Sequence, residues 1–343
     1  MTHRFPIKEI ARQAGLGTAT VDRVLNNRAH VAAQTRARVT AAIDELAAQE
    51  QQLSARGRRM FVDVVVEAPQ RFSRQVRTAC ESVLNQIPEA VYRPRFLMQE
   101  VMEEAEVTAA LSRIRKRGSQ GVILKARDTA SIRMAVEELS TAQIPVVTLV
   151  TDLQTPHRCA YAGMDNAQAG HTAAFLLAQF QGDMPGGILT TRSQEDFQGE
   201  TERFESFRDT YRLLRPQDQM FAVAGGGGLS YETRQSLTAV LGERTAIAGV
   251  YSMGGGNKAI LDVLAAEGHQ PAHYVAHDLD AENTELLRQG MISAILHHDL
   301  TQDMRHAFAA ISAWHGLRPA DAAPVALSDV QIITRYNIPK GIR

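Results

Sequence analysis

The sequence is short of the features that mark several large protein classes. Only two of its 343 residues are cysteines, Cys80 and Cys159. They are too few and too far apart for a disulfide framework or a CxxC metal site, so buried free thiols are expected. No apolar run reaches the roughly 20 residues that a bilayer crossing needs. The N-terminus lacks the apolar core of a signal peptide, so a cytoplasmic chain with no membrane partner is expected. Gly225 to Gly228 and Gly254 to Gly256 suggest phosphate loops, but neither run is followed by Lys-Ser/Thr, and turn glycines suffice. His269, His273 and His277 recur every four residues. Pro271 and the apolar Tyr274-Val275-Ala276 place them on a loop entering a strand, where that spacing gathers no metal. Neither metal nor cofactor is expected.

Net charge is also nearly absent, at −1, but the total hides an asymmetry. Residues 1 to 60 hold ten Lys/Arg against five Asp/Glu, and the remainder holds 27 against 33. A basic head on an acidic body suits a nucleic-acid-binding module fused to a regulatory one. A solvated basic face would give the same count, so charge alone carries little weight.

The head has more specific signals. Ile7, Ile10, Ala11 and Ala14 recur at helical spacing, and Gly15-Leu16-Gly17 ends that helix. Thr18 stands where an N-cap belongs, and Val21, Val24 and Leu25 mark the inner face of a second helix. Two short helices around a Gly-containing turn form a helix-turn-helix, whose second helix enters the DNA major groove. Its outward positions are Thr18, Ala19, Asp22 and Arg23. Arg23 is placed to read guanine O6 and N7, and Ala19 to meet a thymine methyl. An ordinary helical hairpin in a core would not need the basic face.

The runs Ile7-Lys8-Glu9-Ile10-Ala11, Ala14-Gly15, Thr20-Val21 and Arg23-Val24-Leu25-Asn26 resemble the head of the lactose-repressor (LacI/GalR) family of transcription regulators. His30-Val31, Thr35-Arg36 and Val39 onward to Leu46 resemble its third helix. The resemblance implies operator binding as a dimer and extends the DNA-facing set to Asn26, His30, Thr35 and Arg36. Asp22 departs from the small polar residue usual there. A carboxylate is repelled by phosphates, so it should accept from a cytosine N4 or orient Arg23. In the third helix, Gln34 to Leu46, Arg36 and Arg38 are available to phosphates, which position a protein without reading sequence. Residues 47–60 read as a linker. The family has a short hinge helix there that wedges a Leu into the minor groove. Leu53 lies in the segment, but the Tyr-x-Pro-Asn entry is missing and Gly57 falls near the wedge position.

From Phe61 short apolar strands alternate with helices: Phe61–Glu67, Tyr92–Leu97, Gly121–Lys125 and Pro145–Val150, then a second series from Gly187 to His297. The alternation argues two parallel sheets covered on both faces, with a ligand cleft between the carboxyl ends of their strands. The expected fold is thus an all-α helix-turn-helix head, 1–46, and a linker, 47–60. An α/β core of two doubly wound lobes follows over 61–343. This core resembles that of the same family, related in fold to periplasmic sugar-binding proteins. Ala162-Gly163-Met164-Asp165-Asn166 with Ala169-Gly170 resembles its crossover, Arg203-Phe204 with Phe207 its ligand-binding helix, and His277-Asp278 with Gly290 its second-lobe acid.

A sugar offers hydroxyls without net charge, so its site needs carboxylates, guanidinium forks and an aromatic wall. Asp278 at a strand end and Arg203 opposite are the leading candidates; a helix cap and a surface ion pair with Glu200 or Glu202 are their alternatives. Asp152 would supply a second carboxylate and Phe72 a stacking ring. His298 stands where sugar binders of this fold often place Gln, and Ser252 where they often place Asn. Asp165 and Asn166 read as caps of the next helix. The function expected is a DNA-binding repressor controlled by a small-molecule effector, a sugar. A nucleobase or sugar-phosphate co-repressor is the alternative within the class. An enzyme such as a sugar kinase would need a phosphate loop and a placed base, and the sequence offers neither. Pro339 and Gly341 near the end of TRYNIPKGIR break any tetramer-forming heptad, so a homodimer is expected.

Overall fold

The computed structural model describes residues 5–26, 28, 31–56, 59–182, 184–227, 229–241, 246–318 and 327–340. The head consists of α1 (Ile7–Ala14), α2 (Thr18–Leu25) and α3 (Ala33–Arg56). Phe5, Ile10, Ala11, Ala14, Val21, Val39 and Ala42 form its buried core. Gly15 closes α1 in the left-handed conformation, φ +62°, which costs glycine least. Two readings of the head change. Gly17, in an extended conformation, takes the N-cap position of α2, so Thr18 is the first helical residue. α3 continues past Leu46 to Arg56, because Ala, Gln, Glu, Leu, Ser and Arg are good or neutral helix formers and no Gly or Pro interrupts them. The linker is therefore helical over most of its length. His30, Gly57 and the side chain of Leu53 lie outside the described residues.

The first lobe runs through β1 (Arg59–Glu67), α4 (Gln70–Val83), β2 (Val91–Gln99) and α5 (Glu104–Arg117). It continues with β3 (Gly121–Lys125), α6 (Ala130–Thr141), β4 (Val146–Leu149) and β5 (Ala160–Ala162). Its sheet has the order β2-β1-β3-β4-β5, parallel throughout. The second lobe opens with α7 (Asn166–Gln181), β6 (Gly187–Arg192), α8 (Gln198–Leu214) and β7 (Met220–Ala224). α9 (Ser230–Val240), β8 (Ile247–Ser252), α10 (Asn257–Ala266) and β9 (His273–His277) follow. α11 (Ala281–Arg288), β10 (Ala294–His297), α12 (Leu300–Trp314) and β11 (Gln331–Ile333) complete the order. The second sheet runs β11-β10-β9-β8-β6-β7, with β11 the antiparallel member.

α12, β5 and β11 were not among the elements the sequence pattern offered. Both strands are three residues long, too short for a period to show. α12 leaves the second lobe and returns to the first, where Met304, Ala307, Phe308 and Ile311 join the core of Val62, Val64 and Val76. The chain thus crosses between lobes at Met164–Asp165, at His298–Asp299 and again after α12. The first and third crossings touch: Met164 and Ser328 form an isolated parallel bridge, and Ser328 N donates to the Gly163 carbonyl at 2.9 Å.

α7 and α8 pack unusually close, and Gly170 allows it. A Cβ there would strike the Ser206 Oγ and the Arg203 carbonyl oxygen, and lie 3.0 Å from Phe207 N. Backbone atoms cannot yield by changing rotamer. Gly170→Ala should therefore destabilise the core by about 1–3 kcal/mol, read as a fall in the urea midpoint. An unchanged midpoint would show that the helices are not in this contact.

Candidate functional sites in the head and the interlobe cleft

Thr18, Ala19, Arg23 and Asn26 lie exposed along α2, with Val21 buried opposite them. Thr35 and Arg36, at the start of α3, are half-buried. Asp22 does not orient Arg23. Its carboxylate accepts from Asn26 Nδ2 at 2.9 Å and lies 3.6 Å from Arg28, so it shapes the end of α2. Arg38 is not free for phosphates either, because its guanidinium donates to the Ala14 carbonyl at 2.7 Å and ties α1 to α3. What remains outward is a small polar and basic helix face suited to a groove.

The cleft lies at the carboxyl ends of the strands and holds about 760 Å³ of empty space, solvent included. Phe72, Arg203 and Asp278 line it; Asp152, Ser252 and His298 do not. Arg203 is 3% exposed, which rules out the surface ion pair. Its Nε donates to Asn166 Oδ1 at 2.8 Å and its Nη1 to the Met253 carbonyl at 3.1 Å. The cap of α7 is Asp165, accepting from Gln168 N, while Asn166 holds Arg203. Asp278 is not a cap: Asp280 performs that role for α11 through Asn283 N. Asp278 has φ +62°, and Asn283 Nδ2 secures the turn by donating to the Asp278 carbonyl at 2.7 Å. Burial alone would raise the Asp278 pKa. His298 overrides that, with Arg203 and His277 adding to it, and keeps the carboxylate ionised well below its usual range.

The three remaining expectations are corrected by burial and pairing. Asp152 is gripped by Arg158 through two bonds, of 2.5 and 2.6 Å, and accepts from Thr148 and Leu153 N. These four bonds turn the Asp152 carboxylate toward its own loop, and it does not line the cleft. Ser252 is fully buried at the end of β8. His298 is fully buried behind Asp278, its Nε2 3.4 Å from Asp278 Oδ1.

Several lining residues escaped the sequence reading. Lys125 ends β3 with its Nζ 3.9 Å from the Phe197 ring centroid, donating to the Glu67 carbonyl at 3.0 Å. Burial lowers its pKa against the pull of Glu200, Glu67 and Asp278. A lysine closing an apolar strand, GVILK, was the available signal. Glu200 is fixed by Ser193 N at 2.6 Å and by the Ser193 hydroxyl at 2.5 Å. His277 Nε2 lies 2.8 Å from the Tyr251 hydroxyl, and burial, then Arg203, hold its imidazole neutral. The lobes meet across the cleft through Arg71–Asp280 at 3.1 Å, Gln75 to the Leu279 carbonyl at 3.0 Å and Gly199 N to Thr151 Oγ1 at 3.0 Å. A ligand here would meet the Phe72 and Phe197 rings, carboxylates that include Asp278 and Glu200, and the basic side chains of Arg71, Lys125 and Arg203. Among the described residues no group is arranged to hold a metal ion, and no helix is long and apolar enough to cross a membrane.

Residues 64–312 match the periplasmic binding protein domain family, and residues 6–47 match the bacterial regulatory proteins of the lacI family. The HTH-type transcriptional regulator TreR of Salmonella typhimurium strain LT2 is 34% identical over 126 residues, 36% of this chain and 39% of that protein. TreR of Escherichia coli K12 is 33% identical over the same shares. The matched stretch thus spans about two fifths of the length of these curated relatives. Among solved structures, GanP, a glucose-galactose binding protein from Geobacillus stearothermophilus, superposes with a TM-score of 0.72 at 17% identity, covering 82% of this chain and 99% of that one. At these levels the structural likeness concerns the fold. The chain belongs to the periplasmic binding protein domain family and carries a lacI-family helix-turn-helix domain at its head.

Proposed function

We propose that the protein is a cytoplasmic, homodimeric transcription regulator, a repressor and not an enzyme, whose hold on operator DNA is set by a sugar bound between its lobes. The observation that carries the reading is the joining, in one chain, of an exposed helix-turn-helix face to an interlobe cleft lined by Arg203, Asp278 and Phe72. The guanidinium and carboxylate in one lining suit a donor-and-acceptor hydroxyl pair, and the ring suits the apolar face of a sugar. A sugar-phosphate effector is the second reading, favoured by Arg71 and Lys125 in the lining. Against it, Arg71 is already paired with Asp280. A thermal-shift panel of free and phosphorylated sugars separates the two, since a ligand at a hundred times its dissociation constant stabilises by about 2.7 kcal/mol. A panel with no shift would reject both.

On DNA, Arg23→Ala should cost about 1–3 kcal/mol and relax preference at one base per half-site. Arg36→Ala should weaken all sequences alike and flatten the salt dependence. Identical salt slopes for the two variants would displace α2 from the groove.

In the cleft, Asp278→Asn is the informative change, because asparagine tolerates the left-handed conformation at this position and alanine does not. Loss of a charged acceptor worth about 1.5–3 kcal/mol should weaken the effector by one to two orders of magnitude and leave operator binding intact. Asp152→Asn should lower stability with little change in effector affinity. The opposite pattern would move the ligand to Asp152.

A further inference from the structure

His298 ends up in a place that neither ligand contact nor plain core packing explains. It stands at the second lobe crossing, 0% exposed, between carboxylates that belong to different lobes. Nδ1 lies 2.5 Å from Asp303 Oδ2, and Asp303 sits on α12, which packs on the first lobe. Nε2 lies 3.4 Å from Asp278 Oδ1, at the end of a second-lobe strand. The other Asp303 oxygen accepts from the Ser328 hydroxyl, and Ser328 pairs with Met164 at the first crossing. Hydrogen bonds therefore join His298 to Asp303 and Ser328, and a 3.4 Å ion-pair contact, longer than a good hydrogen bond, places the cleft carboxylate of Asp278 against that set.

We propose that His298 is a positioning residue: as an imidazolium it holds Asp278 toward the cleft and ties it, through Asp303 and Ser328, to the crossings that serve as the hinge. This rests on the effector reading above for its purpose, but not for its geometry. Two ionised carboxylates can only accept, so a ring between them is satisfied when both nitrogens carry protons. A neutral tautomer would aim a lone pair at one of the carboxylates. Burial opposes the charge, yet Asp278 and Asp303 together lift the His298 pKa to about 9. Other charged or titratable groups nearby are Arg203 and His277, which act on Asp278, His297 beside it on β10 and His306 on α12. Burial keeps His277, His297 and His306 on the neutral side. A folded-state pKa raised above the ordinary 6.5 means the tie is fully present below pH 6.5 and is lost as pH rises through about 9.

The test uses the full-length chain, with lobe closure read as radius of gyration by small-angle scattering from pH 7 to pH 10. D-glucose, D-galactose and D-arabinose serve as probes. The wild type should expand in one step centred near pH 9, and His298→Gln should show no step. Asp303→Asn removes one of the two carboxylates and should move the midpoint down by at least one pH unit, a displacement that simple packing would not produce. If a probe binds, its affinity for His298→Gln at pH 7 should fall at least tenfold and match the wild type at pH 10. Failure of every probe to bind the wild type would reject the sugar reading but leave the scattering step as the measure of the tie. A wild type with no step, or an unmoved midpoint in Asp303→Asn, would overturn the proposal. If His298→Gln does not fold, the Asp303→Asn midpoint decides alone.

Discussion

The cleft places a cation and an anion where neither is free to move by itself. Arg203 is held through Asn166, whose amide donates to the Tyr161 hydroxyl at 3.0 Å, and that hydroxyl donates to the Met164 carbonyl at 3.0 Å. Met164 is the first lobe crossing. Asp278 is held from behind by His298, Asp303 and Ser328 at the second and third. Buried charge is tolerated only where polar partners replace water, and for Arg203 these are the Met253 carbonyl and Asn166, which adjoins the first crossing. Arg203 is thus connected to the first crossing through hydrogen bonds, whereas Asp278 meets the second across a 3.4 Å ion-pair contact with His298.

Close packing reinforces the arrangement. α8 carries both Glu200 and Arg203, and it lies against α7 at the distance Gly170 permits. Gly199 at its start is similarly confined, since a Cβ there would come within 3.0 Å of both the Val150 carbonyl and Asn166 Nδ2. Its amide donates to Thr151 of the first lobe. The beginning of α8 is therefore a contact between lobes as well as the platform for Arg203. A change in lobe angle has to alter this contact.

Much of the architecture was legible because parallel strands buried on both faces leave near-continuous apolar runs, as in Val62 to Val66 or Gly121 to Leu124. The site was legible only in part. Strand-end position pointed to Asp278, and the resemblance of Arg203-Phe204 with Phe207 to a family helix pointed to Arg203; both line the cleft. Asp152 has the same strand-end position, and what removes it is Arg158, six residues on, which spacing does not mark as a partner. His298 and Ser252 were assigned to the right region but one layer too shallow, because depth behind a cleft leaves no trace in a linear pattern. α12 was hidden for a related reason: it begins in the polar run Asp299 to Asp303, and its apolar face serves the lobe that the chain had already left.

The attachment of the head explains why the hinge matters. α3 ends at Arg56 and β1 begins at Arg59, three residue steps that span at most about 11 Å. The helices of the head are therefore joined to the first lobe, which begins with β1. Arg203 and Asp278, however, belong to the second lobe. On the function proposed above, a ligand that contacts them would reach the head by changing how the second lobe sits on the first, since the crossings are the covalent route between the two. Couplings of this kind typically amount to about 1–3 kcal/mol, a range that a few buried hydrogen bonds remade at the crossings can supply. Polar ties at a hinge suit that task better than apolar packing, because their strength depends sharply on direction and distance, so a small rotation of one lobe is enough to favour one state over the other.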